Sequence, residues 1–157
     1  MPPEVLEGYR KAVATYEELL HEGTLRQFGF LGARFLRAKE ILQKQLIYRV
    51  AKNNEFVTPC VAGTLSYVIM EDGRLKACEI LDDAIGTTAA SENPATGFRS
   101  LAQSVQARNL RTWIRDTRCR CTYECAQSTN TLFSWPMTFR LFGETVRQMS
   151  GAPPRSA

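Results

Sequence analysis

The feature that most constrains this chain is the distribution of its cysteines. There are five among 157 residues, and none lies in the first 59 or the last 32 positions: Cys60, Cys78, Cys119, Cys121 and Cys125. Clustered thiols in a reducing compartment are more often metal ligands or catalytic groups than disulfides, and an odd number leaves one unpaired. The pattern therefore predicts that two distant stretches of chain meet around a thiolate site.

The composition is that of an ordinary globular protein, with 44% hydrophobic and 23% charged residues. A chain of this length can hold a core of its own, as one domain or one domain with an appendage. The net charge of +4 is small for a nucleic-acid binder. Because the sequence has no long apolar run and no basic segment followed by an apolar one, we expect no membrane span, no secretory signal and a cytoplasmic location.

Apolar periodicity predicts an α+β fold that opens with two helices. Apolar residues recur at three- and four-residue steps from Glu4 to His21 and from Gly32 to Lys52. The connector from Leu25 to Leu31 is unusually apolar for a solvent loop. We expect this connector to pack against a neighbour, either the rest of the chain or a partner protein.

The second half of the chain is predicted to be helical after a loop at residues 82–97. One helix is expected at about residues 97–115, and a last helix is expected to be capped by Ser134 with Pro136 in its first turn. That last helix would carry one apolar stripe, formed by Trp135, Phe139, Phe142, Val146 and Met149. Residues 151–157 are expected to form a disordered tail.

A β-hairpin is predicted in the middle of the chain. The dipeptide Asp72-Gly73 separates strand-like runs at residues 64–70 and 74–79, and Asp-Gly in that position is a strong hairpin signal. With these two residues as the whole loop, Cys78 would lie opposite Tyr67.

The spacing of the thiols favours an iron–sulfur cluster over zinc. Cys60 and Cys78 would be carried by the hairpin, and the remaining cysteines by the segment after a helix. Structural zinc sites prefer closely spaced ligand pairs in both halves, whereas a cluster is wider and suits scattered thiolates. Zinc remains an alternative, as does a set of small buried hydrophobic side chains.

Two segments resemble a known family. The arrangement C-x12-G-x4-C of Cys60, Gly73 and Cys78 lies within PCVAGTLSYVIMEDGRLKACEILDDAIGT, and CRCTYECAQSTNTLF follows. Together they resemble the C-terminal SPASM or twitch domain of radical S-adenosylmethionine proteins, over about residues 56–135. The resemblance implies an auxiliary 4Fe–4S cluster, held by cysteines that flank a hairpin and by cysteines that follow a helix.

The resemblance also implies roles for individual cysteines. Cys60 and Cys78 would be the hairpin ligands, Cys125 would be the last ligand, and Cys121 or Cys119 would be the fourth. A full SPASM domain holds two clusters on a longer set of cysteines. Five thiols therefore imply a single cluster with one cysteine to spare.

A missing cysteine decides what the chain can do alone. The radical chemistry needs a C-x3-C-x2-C loop, and although Cys121 and Cys125 fit its first part, its last position is Ser128. We therefore expect no catalytic residues here and no complete enzyme.

Residues 1–55 would be the end of a catalytic barrel and residues 56–150 the cluster domain. The expected partners are a radical S-adenosylmethionine core, the source of any S-adenosylmethionine, and a peptide or protein substrate.

Three other features of the sequence have both a functional and an ordinary surface interpretation. His21, the single histidine, is expected at a helix end, exposed or capping. The acidic residues Glu79, Asp82 and Asp83 could bind a cation but are more typical of a solvated loop. Six arginines lie between positions 99 and 120 and would offset cluster charge, bind an acidic partner or face solvent: Arg99, Arg108, Arg111, Arg115, Arg118 and Arg120.

Overall fold

The computed structural model describes residues 2–25, 29–30, 32–89 and 94–149. In chain order its elements are α1 Pro3–His21, α2 Ala33–Asn53, β1 Val68–Ile69, β2 Arg74–Lys76, β3 Ala84–Thr87, α3 Pro94–Ala102, α4 Val105–Asp116, α5 Glu124–Phe133 and α6 Trp135–Met149. The predicted α+β class is confirmed. Most of the apolar connector and the predicted tail at residues 151–157 lie outside the described residues.

The chain divides into two compact units. One, the helical unit, contains Met1–Thr58 and Arg120–Ala157, and the other, the sheet unit, contains Pro59–Cys119. These extents differ from the predicted segments 1–55 and 56–150, because helices from the last third of the chain pack on α2.

In the helical unit, α2 packs against α1, α5 and α6. Its core consists of Ala38, Leu42, Leu46, Met137 and Leu141. The two predicted N-terminal helices are present within about one residue of their expected ends. α2 ends at Asn53 and is capped by Asn54, which adopts a left-handed backbone with φ 51° and donates its N–H to the carbonyl of Val50 at 2.9 Å. Asparagine is one of the few residues that tolerate this conformation, so the stop is encoded locally.

The predicted hairpin exists, but its predicted register is wrong. β1 and β2 pair antiparallel, with Val68 opposite Lys76 and Ile69 opposite Leu75. The loop therefore has three residues, because Gly73 takes a left-handed backbone with φ 81° and adds one residue to the turn. Continuing this register puts Ser66, and not Tyr67, opposite Cys78.

A third strand was missed where the sequence predicts a loop. β3 pairs antiparallel with β2, so the sheet order is β1-β2-β3. Only Ile85 of this strand is fully buried, and its small neighbours Ala84 and Gly86 carry little strand signal. The pairing with β2 outweighs that weak local preference.

The helices of the second half also differ from the prediction. The single helix expected at residues 97–115 is two helices, α3 and α4, and α5 was not predicted separately. The break has a local cause, because the hydroxyl of Ser104 accepts a hydrogen bond from the N–H of Ala107 at 3.1 Å and caps α4.

The side-chain cap predicted for the last helix is wrong. Ser134 is the single residue between α5 and α6, and its buried hydroxyl has no hydrogen-bond partner among the described atoms. Its carbonyl accepts the N–H groups of Met137 and Thr138 instead.

Candidate metal centre

Three of the five cysteines pack against one hydrophobic core, in the sheet unit. Cys60, Cys78 and Cys119 are partly buried, and each lies against this core. Its buried members are Ala62, Leu75, Ala77, Ile85, Ala107 and Ile114. Three of these six are alanines, and cysteines far apart in sequence border this common interior.

Each of these cysteines lies near the start of the unit or just after the end of a strand or helix. Cys60 lies at the start of the sheet unit, and Cys78 follows β2 by two residues. Cys119 follows α4, and its N–H donates to the carbonyl of Ile114 at 2.9 Å. Arg118 immediately before it has φ 50°, a left-handed conformation that turns the chain at the end of the helix.

The loop between Cys60 and β1 is held by an arginine whose structural role the sequence did not reveal. The Nη1 of Arg111 donates to the carbonyls of Gly63 at 3.0 Å and Ala102 at 2.9 Å, and to the Tyr67 hydroxyl at 3.1 Å. Gly63 has φ 73°, and its N–H donates to the carbonyl of Ser66 at 2.8 Å. The Arg111 side chain thus joins the loop before β1 to α4. It is not part of an exposed charged surface.

The other two cysteines lie in the helical unit. Cys121 is partly buried, and its carbonyl accepts a hydrogen bond from the Nε2 of Gln127 at 2.7 Å. Cys125 is exposed in the first turn of α5. The C-x3-C segment therefore runs into a helix.

The position of the missing third cysteine has a structural partner. The Nζ of Lys39 donates to the Ser128 hydroxyl at 2.8 Å and to the Oε1 of Gln43 at 2.9 Å. Burial lowers the pKa of Lys39 below its ordinary value. Ser128 consequently joins α5 to α2, a role that a metal-ligating thiol at this position would not fill.

The chemistry of the donor set fits a soft metal centre. All five cysteines are thiols and none is in a disulfide. Five thiols suffice for one four-thiolate cluster. Across residues 2–25, 29–30, 32–89 and 94–149, however, no three His, Cys, Asp or Glu side chains form a group that could hold a metal ion. The three cysteines of the sheet unit therefore share a core without forming a ready ligand set.

The remaining candidates have ordinary surroundings. His21 is exposed at the last residue of α1, as expected, and Glu79, Asp82 and Asp83 lie at the surface, with Asp82 and Asp83 in the loop before β3. Arg115 pairs with Asp116 at 2.8 Å, a contact that raises the arginine's pKa. The Nε of Arg120 donates to the carbonyl of Asn54 at 2.8 Å.

An open cleft of about 320 Å³ lies on the sheet unit. It is lined by Asp83, Ala84, Ile85, Gln106, Asn109, Leu110 and Trp113. None of the five cysteines lines it.

No family model matches this chain, no curated protein matches it and no solved structure matches it.

Among the helices that the structure describes, none combines the length and the apolar character that crossing a membrane requires.

Proposed function

We propose that this chain binds one 4Fe–4S cluster through four of its five cysteines and serves as the auxiliary-cluster part of a radical S-adenosylmethionine protein. The observation that supports the proposal is the position of Cys60, Cys78 and Cys119 around one hydrophobic core. Cys125 would be the fourth ligand, which leaves Cys121 as the spare thiol. The cytoplasm suits this function, because thiols stay reduced there.

The surroundings of the three cysteines suit metal ligation. An uncompensated thiolate against an apolar core is costly, and a bound metal centre removes that cost by neutralising charge. Because the thiols come together only when the sheet unit folds, metal binding would add to folding stability. Arg111 contributes by fixing the loop that follows Cys60.

The proposed role is electron transfer or structural support. Four thiolates occupy every iron of a cluster, which leaves no open position for a substrate atom. The chain would act with a core that supplies the C-x3-C-x2-C motif and the S-adenosylmethionine. A peptide or protein is the substrate class that the family resemblance implies for such an assembly.

A zinc-stabilised interaction module is the second candidate. It is favoured by the packing of three cysteines within one unit, since a single ion needs shorter distances between ligands than a cluster does. In that case the protein would have no redox role.

The two candidates are separated by metal analysis of protein purified without oxygen. A bound cluster gives a brown protein with about four irons per chain and absorbance near ~400 nm, whereas the zinc module is colourless and contains zinc. We expect Cys78→Ala and Cys125→Ala to lose the colour and most of the iron. Ser66→Ala, beside the hairpin, is the matched control and should keep both.

The outcomes separate cleanly. Unchanged iron content in Cys78→Ala contradicts the ligand assignment. If the wild-type protein contains zinc and no iron, the cluster proposal is wrong and the zinc-stabilised module is supported. Cleavage of S-adenosylmethionine by the reconstituted chain alone would contradict the view that it lacks the catalytic core.

A further inference from the structure

α6 has two apolar faces, and only one of them is covered within the part of the chain that the structure describes. Met137 and Leu141 are buried at 4% and 1% exposure in the core shared with α2. On the opposite face, Trp135, Phe139, Phe142 and Val146 are exposed by 74%, 65%, 68% and 47%. We call these four residues the α6 seam. The Met149 side chain, which the sequence placed on the same stripe, lies outside the described residues.

The spacing of the α6 seam matches a helical partner. Its members follow one another by steps of four, three and four residues. This is the repeat of ~3.5 residues with which one helix packs along another in a coiled coil. The helices of its own unit occupy the inner face of α6.

The area of the seam is sufficient for a specific pair. An aromatic side chain buries roughly 150–250 Å². The four seam residues are 47–74% exposed, so they present on the order of 500 Å² per chain. Two such faces together would bury on the order of 1,000 Å², which is about the area that a specific interface must reach.

The flanks of the seam suit a second copy of the same chain. The residues beside it are uncharged, and most are small: Pro136, Thr138, Gly143 and Thr145. Arg140 lies off the seam by its helical position, and Arg147 is paired with Glu144 within the helix. Two identical seams therefore meet without like charges, and Gly143 lets the backbones approach.

We propose that this protein forms a two-fold symmetric dimer in which the α6 seams of two copies pack antiparallel. In the centred register, Trp135 of each copy lies opposite Val146 of the other, and Phe139 lies opposite Phe142. Each large residue meets a smaller one or another aromatic ring, and the contact is isologous, as a closed dimer requires. Trp135 and Phe139 already form an edge-to-face pair, with ring centroids 5.4 Å apart, which orders the contact surface.

The test is sedimentation of the full-length chain across the micromolar range, with charged variants of the central pair. The wild type is expected at twice the 17.7 kDa chain mass. Phe139→Lys and Phe142→Glu should each raise the dissociation constant at least about tenfold, as loss of a central aromatic contact does. Arg140→Glu, which changes charge on the same helix off the seam, is the matched control and should remain dimeric.

Mixing the two charged variants tests the register. In the antiparallel pair, the lysine introduced at position 139 of one chain would face the glutamate introduced at position 142 of the other. The second contact stays Phe against Phe, so association should return. Circular dichroism confirms that each variant keeps its helices. A monomeric wild type, dimeric single variants or a mixture that stays monomeric would each overturn the proposal. The first outcome would leave a different protein as the occupant of the seam.

Discussion

The guanidinium of Arg111 donates a hydrogen bond to the hydroxyl of Tyr67 at 3.1 Å, joining α4 to the residue before β1. The same nitrogen also serves the carbonyls of Gly63 and Ala102. The Tyr67 ring in turn lies edge-on to Phe98, with centroids 5.2 Å apart. One charged side chain thus connects the start of the hairpin to two helices of the sheet unit.

Replacing Arg111 by methionine should destabilise the sheet unit. The substitution keeps much of the side-chain volume but removes three hydrogen bonds, and it leaves the Gly63 carbonyl with the Tyr67 hydroxyl as its donor. Because hydrogen bonds from charged groups contribute more than neutral ones, we expect a loss of about 2–3 kcal/mol in the free energy of unfolding. Urea denaturation measures it. Arg115→Met, at a side chain 74% exposed, is the control and should change stability by less than about 0.5 kcal/mol. Equal effects in both variants would contradict the role assigned to Arg111.

Gly73→Ala should also be costly. The φ of 81° is unfavourable for a residue with a Cβ, and a Cβ placed there would lie 2.9 Å from the Cβ of Ala89. We expect a destabilisation of about 1–3 kcal/mol, measured by thermal or urea unfolding. Gly8→Ala provides the contrast, because this glycine is in α1 with open space around it and should gain up to about 1 kcal/mol. A neutral Gly73→Ala would argue against the left-handed backbone at Gly73 and its close contact with Ala89.

The hairpin shows what the sequence could and could not predict. Asp72-Gly73 identified the turn correctly, because few other dipeptides favour such a reversal. It did not identify the loop length, since a glycine in the left-handed conformation serves loops of two and of three residues. The observed register therefore differs from the predicted one by one residue, and Ser66 instead of Tyr67 lies opposite Cys78.

β3 shows the limit of local patterns more sharply. Ala84 and Gly86 have weak strand preference, and the strand exists because its backbone pairs with β2. The helices α1 and α2, in contrast, follow from apolar periodicity because their buried stripes are local in sequence.

The candidate site was predictable only as a set of residues. The sequence identifies all five thiols, and their chemistry favours a metal. It does not reveal that Cys60, Cys78 and Cys119 border a common core. That fact depends on contacts between residues far apart in the chain, as does the structural role of Arg111.

Ser104→Ala tests the break that divides α3 from α4. The hydroxyl caps the first turn of α4 by accepting the N–H of Ala107, and its loss should cost about 1 kcal/mol of stability. Ser104→Asp retains an acceptor at the same position and should be close to wild type. Urea unfolding of the two variants measures the difference. If the alanine variant matched the aspartate variant, the cap would contribute nothing, and the break would need another cause.

Glu17 should give the helical unit a distinctive pH dependence. Its side chain is buried and accepts a hydrogen bond from the Nε2 of Gln45 at 2.9 Å. Burial raises its pKa above 4.5, although that hydrogen bond and, more weakly, the charge of Arg147 lower it. Between 4.5 and the raised value, the folded chain holds more protons than the unfolded chain. Stability contributed by this group is therefore highest at low pH and falls as the pH rises through the folded pKa.

Glu17→Gln removes this ionisation while keeping an acceptor for Gln45. We expect the variant to gain up to about 1 kcal/mol at neutral pH and to lose that part of the decline with rising pH. Unfolding free energies from about pH 4 to about pH 8 measure both effects. Glu18→Gln, at the exposed neighbour on α1, is the control and should follow the wild-type profile. If the stability of Glu17→Gln fell between acidic and neutral pH by as much as that of the wild type, the raised pKa of Glu17 would be contradicted.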